Sequence, residues 1–220
     1  MSINKVGVIG TGAMGLGIAQ VCAQAGLDVT AVKATPGSWE RAKASVEGGL
    51  SKAVERGKMA AEDRDALLSR ITFTADEHAV ADCELVIESI IEDLETKKAL
   101  FRRLEHVCRP DALLTTNTST LSVTAMMAVC KHRDRIAGLH FFNPAPVMKL
   151  VEIIRGLATS EETVARIRGW SDAIGKTSIV VNEAPGFTTS RMSALLGNEA
   201  MWMLSEGVAS AEDIDTALRL

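Results

Sequence analysis

A histidine, an asparagine and a carboxylate stand close enough in one segment to build an oriented acid–base pair. The run is Gly138-Leu139-His140-Phe141-Phe142-Asn143-Pro144, with Glu152 twelve residues past the histidine. An imidazole changes charge near neutral pH. A carboxylate bonded to one ring nitrogen fixes its tautomer and leaves the other nitrogen to trade a proton. A second constellation opens the chain, where an apolar run at 6–9 leads into Gly10-Thr11-Gly12-Ala13-Met14-Gly15. There Gly10 permits a tight turn, Gly12 lets backbone approach a pyrophosphate, and Gly15 lets the following helix pack close to the strand. Free N–H groups near Gly12, Ala13 and Met14 would hold the phosphates. A bare Gly-x-Gly-x-x-Gly is weak, since glycine-rich turns arise by chance. The apolar strand before it and the periodic helix after it are the context of a dinucleotide site.

These groups need elements that deliver them to one edge. Apolar runs of strand length alternate with helical periods, the signature of βαβ units and a parallel sheet. Residues 6–9, 29–32, 71–74, 85–87, 113–116 and 136–139 read as strands, with late strands at 147–153 and 178–181. Helices are expected over 13–25 and 94–107. A long polar helix, or a pair broken near Gly48-Gly49, runs to Glu55 after a turn at Pro36-Gly37. Thr159 with Glu162 makes a capping box for a further helix. After Pro185-Gly186 everything to Leu220 reads helical, with Ser210 and Asp213 capping the last helix. Thr116-Asn117-Thr118-Ser119-Thr120 follows one predicted strand, and His140, Phe141 and Asn143 follow the next. Both groups therefore lie at the carboxyl edge, where ligands bind in open α/β sheets. Taken singly, Ser119 reads as a helix cap before Leu121 and His140 as a satisfied core histidine. Two consecutive strand ends carrying polar groups favour a site.

The second strand end is unusual. An NAD-selective site usually has Asp or Glu about 20 residues beyond the glycines, bonded to the ribose hydroxyls. This chain has Val32-Lys33-Ala34 there, and Asp28 sits at the wrong end of the strand. Lys33 either meets a 2′-phosphate, and thus NADP, by charge pairing, or points to solvent and leaves selectivity to backbone contacts.

Bulk properties exclude other classes. The 220 residues are 47% hydrophobic with a net charge of −4, so no global basic field invites nucleic acid. Apolar stretches break well short of ~18 residues, which predicts no membrane span. The start has no signal-peptide form, and Cys22, Cys83, Cys108 and Cys130 show no metal or Cys-x-x-Cys spacing. Reduced, mostly buried thiols and a cytoplasmic protein are expected, with no metal.

The glycine motif, Asn117-Thr118-Ser119, His140-Phe-Phe-Asn-Pro and Val147-Met148-Lys149-Leu150-Val151-Glu152 together resemble the L-3-hydroxyacyl-CoA dehydrogenase family, which includes 3-hydroxybutyryl-CoA dehydrogenases. Gly175-Lys176, Pro185-Gly186-Phe187 and residues 210–215 add to the resemblance, which spans essentially the whole chain. It implies that His140 is the general base for the 3-hydroxyl proton while hydride leaves for a nicotinamide. It makes Glu152 the carboxylate that orients and stabilises the imidazolium. Ser119 would hydrogen-bond the substrate oxygen, Asn143 would help fix the geometry, and Glu92 and Lys97 would contact the nicotinamide ribose side. Without the resemblance, Glu92 and Lys97 read as a solvated helix start.

Several positions depart from the family pattern. Ser190 stands where an asparagine usually precedes the arginine, and Lys33 replaces the acidic selector. Gly49 and Arg56 occupy places where serine and lysine often meet CoA, and Arg56 could still meet a CoA phosphate. Family subunits continue through more helices than this chain shows. The expectation is therefore an α/β chain: a doubly wound Rossmann-type nucleotide domain over 1–183, followed by the start of an incomplete all-α domain over 184–220. Its apolar residues between Arg191 and Gly207 predict an oligomer, a homodimer by default. The expected reaction interconverts (S)-3-hydroxyacyl-CoA and 3-oxoacyl-CoA with NAD or NADP, on a short-chain thioester. Two alternatives are an NADP-dependent dehydrogenase of an acyl-carrier-protein thioester, and a nucleotide-binding module with little turnover.

Overall fold

The computed structural model describes residues 3–35 and 37–220; Met1, Ser2 and the expected turn residue Pro36 lie outside them. Eight strands form one sheet: β1 (Lys5–Ile9), β2 (Asp28–Val32), β3 (Ile71–Thr74), β4 (Leu85–Glu88), β5 (Leu113–Thr116), β6 (Ile136–Phe141), β7 (Leu150–Arg155) and β8 (Thr177–Asn182). Their order is β3-β2-β1-β4-β5-β6-β7-β8. Strands β1 to β6 are parallel neighbours, β7 turns back antiparallel to β6, and β8 runs parallel to β7. The order reverses between β1 and β4, so their carboxyl ends open the crevice in which such sheets bind ligands.

Helices α1 (Ala13–Gln24), α2 (Glu40–Glu55), α3 (Ala61–Ser69) and α6 (Glu161–Ala173) lie with one face of the sheet, and α4 (Leu94–Val107) and α5 (Val123–Met127) with the other. Alternation along each strand feeds the two cores. In β4, Leu85 and Ile87 join Ile18, Leu50 and Trp170 on one side, while Val86 joins Phe101, Leu104 and Met126 on the other. This double burial is why the strands read as continuous apolar runs.

Of the two readings of the segment up to Glu55, the single long helix is the one found: α2 runs unbroken through Gly48-Gly49, because Val46 and Leu50 on either side are buried in the core. That burial outweighs the roughly 1 kcal/mol each glycine costs in a helix. Ser160, not Thr159, caps α6 by accepting from the Thr163 N–H at 3.1 Å. The Thr159 hydroxyl is already engaged, donating to the Ile136 carbonyl and accepting from the Gly156 N–H. Residues 145–147 form a turn, with Val147 and Met148 N–H both donating to the Pro144 carbonyl, and β7 starts at Leu150. Helix α3, which the apolar spacing does not announce, buries Leu67 alone.

Beyond Phe187 the packing changes. Helix α7 (Thr189–Ser205) buries none of its residues, and α8 (Ala211–Arg219) buries Ile214 alone. Met192, Leu195, Leu196, Met201 and Trp202 are each more than half exposed. Ser210 caps α8 as expected, accepting from the Asp213 N–H. No helix among the described residues is long and apolar enough to cross a membrane. All four cysteines are free and buried, and burial pushes Cys22 and Cys108 up to about 12 and Cys83 and Cys130 to about 11.

Candidate active site

The antiparallel return of β7 sets His140 directly opposite Glu152 in the sheet register. Two side chains on one face of such a pair are neighbours, which converts the twelve-residue spacing into contact. His140 Nδ1 lies 2.8 Å from Glu152 Oε2, with both side chains buried. Glu152 has no solvent exposure and is filled by donors from α7: the Thr188 and Thr189 N–H groups bond Oε1 at 3.3 and 3.1 Å, and the Thr189 hydroxyl bonds Oε2 at 3.1 Å. A carboxylate at a helix N-terminus meets free N–H groups and a favourable dipole. The imidazole also packs beside Phe142 and Phe187, at centroid distances of 4.6 and 5.9 Å. Its Nε2 makes no hydrogen bond with any described residue. Ser190, the next residue along the same turn of α7, is half-buried.

The glycine loop is built for close approach. A Cβ on Gly10 would collide with the Ser89 carbonyl, and Gly10 also holds φ at +112°. A Cβ on Gly15 would collide with the Gly10 carbonyl, so the start of α1 packs directly on the strand end. A Cβ on Gly12 would meet nothing within 4 Å and would project into open space, which leaves that room for a ligand. A cavity of about 770 Å³ opens there, lined by the ends of four strands. Gly10, Gly12, Ala13 and Met14 line it after β1, Lys33 after β2, Glu92 and Lys97 after β4, and Asn117 and Ser119 after β5. The residues present thus suit a dinucleotide, with helix N–H groups, small residues and room for an extended ligand.

Two lysines and two carboxylates hold this edge together. Lys97 is buried, not solvated, and pairs with Glu88, which is fully buried at the end of β4. Glu88 also accepts from the Thr116 hydroxyl at 2.6 Å and the Ile90 N–H at 2.7 Å. Lys97 reaches Glu92 at 3.3 Å. Burial works against the Glu92 carboxylate, but the Thr118 hydroxyl, the Lys97 ammonium and the Ser119 N–H outweigh it and hold its pKa below the usual range. Asn117 ties the cavity to the acid–base pair: its Oδ1 accepts from the N–H of Phe141, next to His140, at 2.8 Å. Lys176 fixes the following loop by donating to the Ala145 and Met148 carbonyls at 2.7 and 2.8 Å, and burial pulls its pKa down. The same loop packs on the cradle helix, where a Cβ on Gly17 would lie 3.2 Å from Ala145.

Most of the expected residues therefore gather at one edge. Ser119 is not a helix cap, since Ser122 caps α5 and Thr118 Oγ1 accepts from the Leu121 N–H; Ser119 is left facing the cavity. Asn143 is exposed on the loop after β6. Arg56 is the exception, at the C-terminal cap of α2 and lining neither cavity beside the glycine loop. Glu88 was missed, although a carboxylate directly after Leu85-Val86-Ile87 is a signal, because a charge ending a buried strand needs a partner.

Comparison with known proteins agrees with this geometry. Residues 5–184 match the family model of the 3-hydroxyacyl-CoA dehydrogenase NAD binding domain, and residues 186–220 match that of the C-terminal domain. A 3-hydroxyadipyl-CoA dehydrogenase from Escherichia coli K12 is 45% identical across the whole chain, which spans 46% of that protein. A 3-hydroxybutyryl-CoA dehydrogenase from Clostridioides difficile is 39% identical over 98% of the chain and 77% of its own length. The crystal structure of (S)-3-hydroxybutyryl-CoA dehydrogenase from Ralstonia eutropha superposes with a TM-score of 0.94 at 37% identity, covering all of this chain and 77% of that one. The chain belongs to the 3-hydroxyacyl-CoA dehydrogenase family.

Proposed function

We propose that the chain interconverts a short-chain (S)-3-hydroxyacyl-CoA and the 3-oxoacyl-CoA by hydride transfer with a nicotinamide dinucleotide. The observation that carries this reading is the His140–Glu152 pair, in which the carboxylate is saturated and the imidazole keeps one nitrogen for chemistry. In the oxidative direction, His140 Nε2 takes the proton of the 3-hydroxyl as the C3–H bond breaks. Glu152 holds the Nδ1–H tautomer and stabilises the imidazolium that forms. Ser119 donates to the substrate oxygen, and Asn143 and Ser190 bound the substrate side. Gly10, Gly12, Ala13, Met14 and Gly15 cradle the dinucleotide, with Glu92, Lys97 and Asn117 at its nicotinamide end. The bound nicotinamide supplies the hydride acceptor. Arg56 remains a candidate for a CoA phosphate.

The division near Glu183 into 1–183 and 184–220 belongs to the same reading, as do a cytoplasmic setting and a homodimer covering the apolar face of α7. Relatives named for CoA thioesters favour CoA over an acyl carrier protein. Acetoacetyl-CoA-dependent oxidation of NADH and of NADPH, side by side, by the purified chain tests the proposal. Turnover supports it, and cofactor binding without turnover makes the chain a nucleotide-binding module instead.

A further inference from the structure

A second cavity, of about 650 Å³, lies beside the phosphate cradle beyond the end of β2, lined in part by Lys33, Ser38, Arg41 and Ser45. It meets the larger cavity at Thr11, Gly12, Ala13 and Lys33, which line both. Lys33 Nζ donates to the Thr35 carbonyl at 2.8 Å and to its hydroxyl at 2.7 Å, which fixes the ammonium where the cavities join. Arg41 and Ser45, one turn apart on α2, share a face. Arg41 makes no ion pair with any described residue, whereas Lys43 on the same helix is paired with Glu47. No carboxylate is among the described lining residues; Glu40 adjoins the cavity at Ser38, whose hydroxyl donates to the Glu40 carboxylate and accepts from the Glu40 N–H. Asp28 is at the opposite end of β2, bonded to Arg70.

A dinucleotide seated on this cradle brings its adenosine ribose to the end of β2, where an NAD-selective site usually has a carboxylate that accepts from the ribose hydroxyls. An ammonium and a guanidinium cannot accept; they donate, and a phosphate monoester is the group that two such donors and the Ser45 hydroxyl suit. We propose that this pocket receives the 2′-phosphate of a phosphorylated dinucleotide, so that the chain binds NADP(H) more tightly than NAD(H) in the same cradle. The proposal rests on the dinucleotide site of the proposed function and adds Arg41 and Ser45 to it.

A phosphate on the 3′ position of the CoA adenosine presents the same chemistry, so the test separates the two. Calorimetric titration of the purified chain with NADPH and NADH, at low and high salt, should show NADPH tighter by at least about tenfold, the worth of one charge-assisted hydrogen bond. The preference should shrink with added salt. Arg41→Ala should bring the NADPH:NADH affinity ratio close to one, and Lys33→Asp should invert it by supplying the missing acceptor. The ratio of CoA to 3′-dephospho-CoA affinity should be the same in the unaltered chain and both variants. NADH binding as tightly as NADPH overturns the proposal and leaves the dehydrogenase reading intact. A variant that shifts the CoA ratio instead assigns the pocket to CoA and also overturns it. Binding of neither dinucleotide overturns both readings.

Discussion

Two carboxylates with no solvent exposure, Glu152 and Glu88, stand at this edge of the sheet and differ in what their partners have left to offer. Glu88 ends a parallel strand and is closed on itself, with Lys97, the Thr116 hydroxyl and the Ile90 N–H as its donors. Glu152 sits on the one antiparallel pairing of the sheet and takes its donors from His140 and from the first turn of α7. A lysine ammonium spends its charge on holding a carboxylate in a dry place, whereas an imidazole so held still has a second nitrogen. Burial and saturation therefore do not by themselves mark a reacting group. In the proposed function, the first centre fixes the edge that holds the cofactor and the second transfers the proton.

Breaking the reacting centre should give the largest effect. His140→Ala should lower turnover by about 10²–10⁴-fold with dinucleotide affinity near normal; steady-state rates with acetoacetyl-CoA, beside calorimetric cofactor binding, check this. Near-normal turnover would remove the distinction between the two centres. Lys97→Met leaves Glu88 buried without its counter-charge, and should cost about 3–5 kcal/mol of stability in urea denaturation. Adding Glu88→Leu should restore most of that loss, since an apolar pair of similar volume does not carry the desolvation cost. If the double variant is no better than the single one, the pair is not a closed ionic unit.

Smaller changes sharpen the comparison. Asp93 caps α4, the helix that carries Lys97, by accepting from the Thr96 N–H at 2.8 Å. Asp93→Ala should lower stability by less than Lys97→Met does in the same urea denaturation, which separates anchoring of the helix from the charge itself. The smallest effect is acid-dependent. Glu92 is held below its ordinary pKa, so its contribution is complete above the unfolded value of about 4.3 and fades as pH falls through the lower folded value. The stability deficit of Glu92→Gln should accordingly shrink below about pH 4, as denaturation midpoints across that range would show. A deficit constant with pH would mean that the Lys97 and Thr118 contacts do not act through the carboxylate charge.

Much was legible in the sequence because it is written locally. The glycine loop carries its turn, its close approach and its helix start in six consecutive residues, and buried parallel strands show as short apolar runs. The His-Phe-Phe-Asn-Pro block with Glu152 marks the two residues that the sheet register brings into contact. Local pattern also misled where tertiary partners intervened. Thr159 looked like a cap because its spacing to Glu162 is right, yet the Ile136 carbonyl and Gly156 N–H claim its hydroxyl. Gly48-Gly49 left a long helix and a broken pair both open, and the core on which Val46 and Leu50 pack decides for a continuous α2.

The chain by itself determined the α/β alternation, the glycine turn that opens α1 and the residue types of the proposed acid–base pair, since each rests on residue type and short spacing. Only the tertiary structure decided that β7 runs antiparallel, and hence that His140 and Glu152 face each other. It also decided that Lys97 is buried against Glu88 and that Lys33 and Arg41 share one cavity. Strand direction, burial and the meeting of cavity walls depend on contacts between segments far apart in the chain, which no local spacing records.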